Sequence, residues 1–139
     1  MQIGKDLVAA SAAPLVLGIL AEGDNYGYAI LQRIAELSGG RLDWSEGLLY
    51  PLLHRLERLG HVEASWVAGD SGRRRKYYRL TDAGRTALVD QRAQWTTVHA
   101  ALSSVWRPGP TPMIVAPKPL PGRPTLRIPA LLSATGWAA

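Results

Sequence analysis

Residues 72–81 read GRRRKYYRLT, and their reading decides the fold. Arg73, Arg74, Arg75 and Lys76 stand in a row, and two tyrosines follow at once. Like charges repel, so a fold gains little by stacking them, and a partner outside the chain is expected to balance them. Tyr77 and Tyr78 favour a strand. Strand side chains alternate, so one ring should face the core and the other solvent or a partner. Just upstream, Val62 to Val67 also favours strand, and Gly69-Asp70-Ser71-Gly72 is a turn signal. The expectation is a hairpin with a basic tip, its second strand running from Lys76 to Leu80.

Working outward, the segment before the hairpin starts at Ser45-Glu46, a cap residue followed by an acid in the first turn. Leu48, Leu49, Leu52, Leu53, Leu56 and Leu59 form a broad apolar face, which leaves Tyr50, His54, Arg55 and Arg58 on the other side. Gly60 closes this helix. Pro51 removes one backbone donor, so from the residues alone the helix is expected to begin late or to bend near Gly47. Further upstream, Leu7 to Ala21 fits a helix that buries most of its surface. Gly23, Asp24 and Asn25 make a turn, and Asn25 can cap a second helix in which Ile30, Leu31, Ile34 and Leu37 recur at helical spacing. Ser38-Gly39-Gly40 ends that helix.

Downstream of the hairpin, Thr81 caps a last helix of about 25 residues, or about 37 Å at 1.5 Å per residue. Leu88, Gln91, Trp95, Val98, Leu102 and Val105 recur at three- and four-residue steps, the pattern of a heptad seam. An exposed helix with such a stripe needs a partner, and a second copy of the chain is expected. Together with Leu7 and Val8 of the first helix, these residues form the expected homodimer interface. After Trp106 the character changes, with eight of the ten prolines between Pro108 and Pro129. Residues 107–139 are read as an extended or disordered tail.

Composition bounds the function. The chain has 139 residues, a formal charge of +5 and no Cys, which excludes disulfides and thiolate metal sites. His54, His61 and His99 lack metal-ligand spacing, so neither a metal nor another cofactor is expected. The charge is uneven. Residues 1–106 hold 12 Lys or Arg against 11 Asp or Glu, a net of +1, while Arg107, Lys118, Arg123 and Arg127 face no acid in the remainder. The stronger local signal is therefore the 73–76 cluster. Leu7 to Ala21 looks like the apolar core of a signal peptide, but Asp6 sits where a positive region belongs, Pro14 interrupts, and no A-x-A site follows Leu20. The stretch is also short for a bilayer span. No membrane partner and a cytoplasmic, nucleoid-associated protein are expected. The tetrapeptide Gly-Asp-Ser-Gly at 69–72 surrounds the nucleophile of trypsin-like proteases, but a triad is defined by geometry, and a chain of this size cannot build two six-stranded barrels. No enzyme activity is expected.

Three helices followed by a two-stranded basic hairpin give the winged helix-turn-helix plan: mainly α with a small β-hairpin, plus a long C-terminal dimerisation helix. Residues 1–81 form the expected DNA-binding domain and 82–106 the dimerisation helix. Double-stranded DNA is the expected partner. Ser45, Tyr50, Pro51, His54, Arg55 and Arg58 lie on the helix that would enter the major groove, and Arg73, Arg74, Arg75 and Lys76 would reach phosphates. The alternative from another class is a winged-helix module for protein contact with only non-specific DNA affinity.

The chain resembles the PadR family of transcriptional regulators, of the short kind with one long C-terminal helix. The matching residues are Gly27-Tyr28 with Ile30, then Leu49-Tyr50-Pro51-x-Leu53-x-Arg55-Leu56-Glu57, Gly60 and Trp66, then Gly72-Arg73-x-Arg75-Lys76-Tyr77-Tyr78-x-Leu80-Thr81-x-x-Gly84. The resemblance covers about residues 5 to 106. It implies a bacterial homodimer that represses its own or neighbouring promoters and responds to small aromatic or cationic compounds. It also implies that Leu-Tyr-Pro lies within the recognition helix. In the multidrug-sensing branch of the family a Trp from each long helix lines a pore at the dimer interface. Trp95 falls at that place, and Gly23-Asp24-Asn25-Tyr26 looks like the same branch. The implied site for a small aromatic effector is Trp95 with Leu7, Val98 and His99; ordinary packing of Trp95 in the seam is the competing reading. Trp66 is expected in the core of the first hairpin strand, and Trp44 carries no assignment.

Overall fold

The computed structural model describes residues 1–107, so the expectation for the proline-rich tail falls almost wholly outside the described residues. The elements are α1 (Lys5–Glu22), β1 (Asn25–Tyr26), α2 (Gly27–Leu37), α3 (Glu46–Arg58), β2 (Val62–Ala68), β3 (Arg74–Leu80) and α4 (Asp82–Trp106). The chain divides into two units after Gln94, within α4.

The core of the first unit is built from the C-terminal half of α1, one face each of α2 and α3, and one face of the sheet. Val16 and Leu17 of α1, Ile30 and Ile34 of α2, and Leu49 and Leu53 of α3 are completely buried. Such side chains stabilise a domain by about 1.5–3 kcal/mol each. The N-terminal half of α1 differs from the expectation of burial: Leu7 is 52% exposed. On α3 the expected apolar face is Leu49, Leu52, Leu53 and Leu56, with Leu48 half-buried. Leu59 does not join it; it lies beyond the helix at the C-cap and is 57% exposed. The helix neither starts late nor breaks at Pro51, but runs from Glu46 through it, at the cost of the hydrogen bond that Pro51 cannot donate to the Gly47 carbonyl.

The sheet has three antiparallel strands in the order β1-β3-β2, one more than expected. Asn25 is therefore not the cap of α2. It pairs with Tyr78 while Tyr26 pairs with Tyr77, and Tyr26 occupies the cap position without a side-chain bond. β3 begins at Arg74 rather than Lys76, so only Arg73 of the four cations lies in the turn. The register runs from Val62 opposite Leu80 to Ala68 opposite Arg74. Alternation then puts Tyr78 (1% exposed) and Leu80 in the core, as one ring of the pair was expected to be. Tyr77 turns to the other face, its ring centroid 5.3 Å from that of Tyr26. Trp66 is corrected by the same register: it lies on β2 where the strand has run past the core, and it is 57% exposed.

Two short-range devices fix how the elements join. Arg33 of α2 forks onto Glu22 at the end of α1, Nε to Oε1 at 3.0 Å and Nη2 to Oε2 at 2.9 Å, which holds the Glu22 carboxyl below its usual pKa. The second device joins α3 to α4. Gly60 follows α3 at φ +80°, a region only glycine adopts freely, and the His61 amide returns to the Leu56 carbonyl. The Thr81 hydroxyl donates to the Gly60 carbonyl at 2.6 Å and accepts the Gly84 amide at 3.0 Å. Thr81 thus caps α4, as the sequence predicts, and also holds the end of α3. A Cβ at Gly84 would overlap the His61 carbonyl oxygen.

Replacing Thr81 by Ala should cost about 1 kcal/mol in urea unfolding, with most of that loss absent for Thr81→Ser. Gly84→Ala should cost about 1–3 kcal/mol, because the collision is with backbone that cannot swing away.

Candidate nucleic-acid interface

With four leucines of α3 turned inward, the residues between them must face out. Pro51, His54, Arg55 and Arg58 are exposed. Arg55 and Arg58 make no ion pair among the described residues; the acids nearest in sequence are engaged elsewhere, Glu57 with Lys76 at 4.0 Å and Glu63 with Arg79 at 3.8 Å. Ser45 is exposed at the N-cap, and its side chain makes no capping bond. Tyr50 is half-buried, and its place is set by a neighbour that has no side chain. A Cβ at Gly27 would overlap the Tyr50 hydroxyl, so the ring rests against the first residue of α2.

The wing supplies the charge. Arg73, Arg74 and Arg75 are exposed and make no ion pair among the described residues. Lys76 is partly covered and belongs to the root of the wing, with its Nζ 5.5 Å from the centre of the Tyr78 ring as well as near Glu57. The Arg74 guanidinium lies 5.1 Å from the centre of the Trp66 ring, and that of Arg75 lies 4.4 Å from the centre of the Tyr26 ring. Between α3, the start of α2 and the sheet lies an open cleft of about 460 Å³, walled by Tyr28, Tyr50, His54, Trp66, Arg75 and Lys76 among others. Its rings and cations suit a negatively charged, partly apolar surface such as a nucleic-acid backbone with its sugars. Among the described residues no group of His, Cys, Asp and Glu could hold a metal ion.

Of the α3 and wing residues singled out in the sequence, the cleft brings together Tyr50, His54, Arg75 and Lys76; Ser45, Pro51, Arg55, Arg58, Arg73 and Arg74 are exposed outside its walls. The cleft adds Tyr26, Tyr28, Trp66 and Gly27, which sequence reasoning did not place at this surface. The signal for Gly27 was present in its match to the family pattern; for Tyr26 a two-residue strand leaves no periodicity to detect. The residues expected at a dimer and effector site lie apart from this surface in sequence. On α4, Leu88, Gln91 and Trp95 are half-buried, whereas Val98, His99, Leu102 and Val105 are exposed. On α1, Leu7 is exposed and Val8 half-buried.

This arrangement of helix, wing and cations defines a winged-helix nucleic-acid-binding protein. The model of the PadR-like transcriptional regulator family matches residues 16–90. The chain belongs to that family and is a transcriptional regulator, as its sequence motifs implied. An uncharacterised protein of Lysinibacillus sphaericus is 30% identical over 96 residues, covering 69% of this chain and 88% of that protein. A transcriptional regulator of Mycobacterium tuberculosis is 47% identical over 57 residues, 41% of this chain and about half (52%) of that protein. Among solved structures, a PadR-family regulator from Eggerthella lenta is 33% identical with a TM-score of 0.64, covering 75% of this chain and 88% of that one. A PadR-like regulator from Bacillus cereus is 25% identical with a TM-score of 0.67, covering 76% of this chain and all of that one. No helix among the described residues is long and apolar enough to cross a membrane.

Tyr78 offers a check on how the wing root packs. Burial, reinforced by Glu57 and Tyr50, raises its phenol pKa above the ordinary 10.0. The folded state therefore holds the proton more tightly than the unfolded chain. The stability this contributes is complete below pH 10 and is lost as the pH rises through the raised value. Tyr78→Phe should remove that loss, so the urea midpoint of the wild type should fall relative to that of the variant as the pH is taken from 8 to above 10.

Proposed function

We propose that the protein is a homodimeric, cytoplasmic repressor of its own or neighbouring promoters. In this reading residues 1–81 bind duplex DNA, with Tyr50, His54 and Arg55 of α3 at base edges in the major groove. Ser45, Pro51 and Arg58 flank them, and Arg73, Arg74, Arg75 and Lys76 lie along the phosphates. The observation that carries the reading is the outward face of α3, free of its neighbouring acids, beside a wing whose three arginines have no carboxylate partner among the described residues. Cations that the protein's own acids do not neutralise are what counterion release from DNA requires.

Residues 82–106 form the dimerisation helix in this reading, joined by Leu7 and Val8. The supporting observation is a stripe that a single chain leaves open: Val98 is 48% exposed, Leu102 39% and Val105 79%. Two recognition helices must stand about 34–36 Å apart to use successive major grooves. A small aromatic effector stacked on Trp95, beside Val98 and His99 of the same helix, would change that separation and release the DNA.

Fluorescence anisotropy with the DNA upstream of the protein's own gene, against scrambled DNA of equal length, tests the reading. Specific affinity should exceed non-specific affinity by about 10³ or more. Equal affinities would favour a protein-interaction module instead. Replacing Arg73, Arg74 and Arg75 by Ala should weaken binding to both DNAs and make the salt dependence shallower by about 0.9 for each phosphate no longer neutralised. Arg55→Ala should cost about 1–3 kcal/mol more on the operator than on scrambled DNA. Leu102→Asp with Val105→Asp should give a monomer by sedimentation and abolish operator binding; a stable dimer in that variant would overturn the assigned seam.

A further inference from the structure

The row of four cations does not act as one patch, because β3 sorts it. Arg74 and Lys76 occupy the face of the sheet that carries Tyr78, Ala64 and Trp66, and Arg75 occupies the opposite face with Tyr77 and Tyr26. Arg74 and Arg75 each meet a ring on their own side. Arg74 is the diagonal neighbour of Trp66, since Trp66 stands directly opposite Lys76, and its guanidinium lies 5.1 Å from that ring's centre. Diagonal pairs on one face are within reach of long and aromatic side chains. Trp66 makes no contribution to the core that would explain a tryptophan there: it is 57% exposed. It does wall the cleft shared with Tyr50 and His54 of α3.

We propose that Trp66 is a positioning residue for DNA binding, which holds the Arg74 guanidinium over its ring on the side of the wing that faces the recognition helix. The proposal deepens the DNA-binding reading and rests on it. An unsupported arginine on a wing samples many rotamers, and all but a few must be given up when it meets a phosphate. A ring under the guanidinium removes much of that freedom before DNA arrives. Attraction to the ring acts through the face of the cation, so the in-plane N–H donors stay available for a phosphate. Trp66 carries no charge itself. Its effect must therefore appear in affinity and not in the number of counterions released.

That distinction gives the test. In the full chain, Trp66→Ala should weaken binding to any duplex DNA by about two- to fivefold, the range expected for an exposed cation–ring pair. The slope of log affinity against log salt should stay unchanged. Arg74→Ala should also weaken binding but make the slope shallower by about 0.9. Trp66→Phe should restore most of the affinity and Trp66→Leu should not. In an Arg74→Ala background, Trp66→Ala should have no further effect. Because Trp66 is exposed, these variants should keep the wild-type circular dichroism. A second readout needs no DNA: the Arg74 side-chain proton resonances should be shifted upfield by the ring in the wild type and in Trp66→Phe, and not in Trp66→Ala or Trp66→Leu. An undiminished Trp66→Ala loss in the Arg74→Ala background would overturn the proposal, because Trp66 would then touch DNA itself. So would wild-type affinity in Trp66→Ala, or the absence of the upfield shift. Failure of the wild type to bind any DNA would instead sink the reading beneath it.

Discussion

The two-residue period of β3 is the constraint on which the rest of this molecule depends. The strand is anchored at its end by Tyr78 and Leu80, whose burial leaves no freedom to slip, because a shift of one residue would expel both from the core. Once they are fixed, every preceding side chain has its face assigned. Lys76 and Arg74 follow Tyr78, Arg75 follows Tyr77, and the pairing with β2 and β1 is settled from the same end. The hydrophobic core thus aims the charges, though it lies several residues away from them.

This explains why bulk charge is a poor guide to the surface. The first 106 residues carry 12 cations and 11 acids. What matters is which cations those acids reach. Glu22 and Glu36 engage Arg33, Glu63 engages Arg79, and Glu57 approaches Lys76. Arg73, Arg74 and Arg75 stand outside these pairs. Surface ion pairs of this kind contribute little to stability. Their effect here is to divide the cations between those spent within the fold and those presented to a partner.

Much of the plan was legible in the sequence, for identifiable physical reasons. The leucines of α3 and the isoleucines of α2 repeat at the helical period, Thr81 precedes a long periodic run, and the Gly-rich turn splits two strand-forming segments. These are local signals, and local physics decides them. The misreadings of Asn25 and Trp66 share one cause, dependence on a contact distant in sequence, whereas that of Leu59 is local. Asn25 looks like a cap until β3 offers it a strand partner. Trp66 looks like core until the register shows that the core ends at Ala64, two residues earlier on the same face. Leu59 continues a leucine pattern one residue past the end of the helix, just before Gly60 turns the chain. At the candidate interface, the residue types on α3 and the wing were readable, but their ring neighbours were not. The closeness of Gly27 to Tyr50 arises only when two helices cross.

The bond from Thr81 to Gly60 has a mechanical consequence. One hydroxyl serves the end of α3 and the start of α4, with the Gly84 amide on its other side. In sequence the whole wing lies between α3 and the first turn of the long helix, but in space this one side chain joins their ends. Gly84 against the His61 carbonyl removes the remaining slack. A twist imposed on the first turn of α4 would have this one hydroxyl as its shortest route to the end of α3.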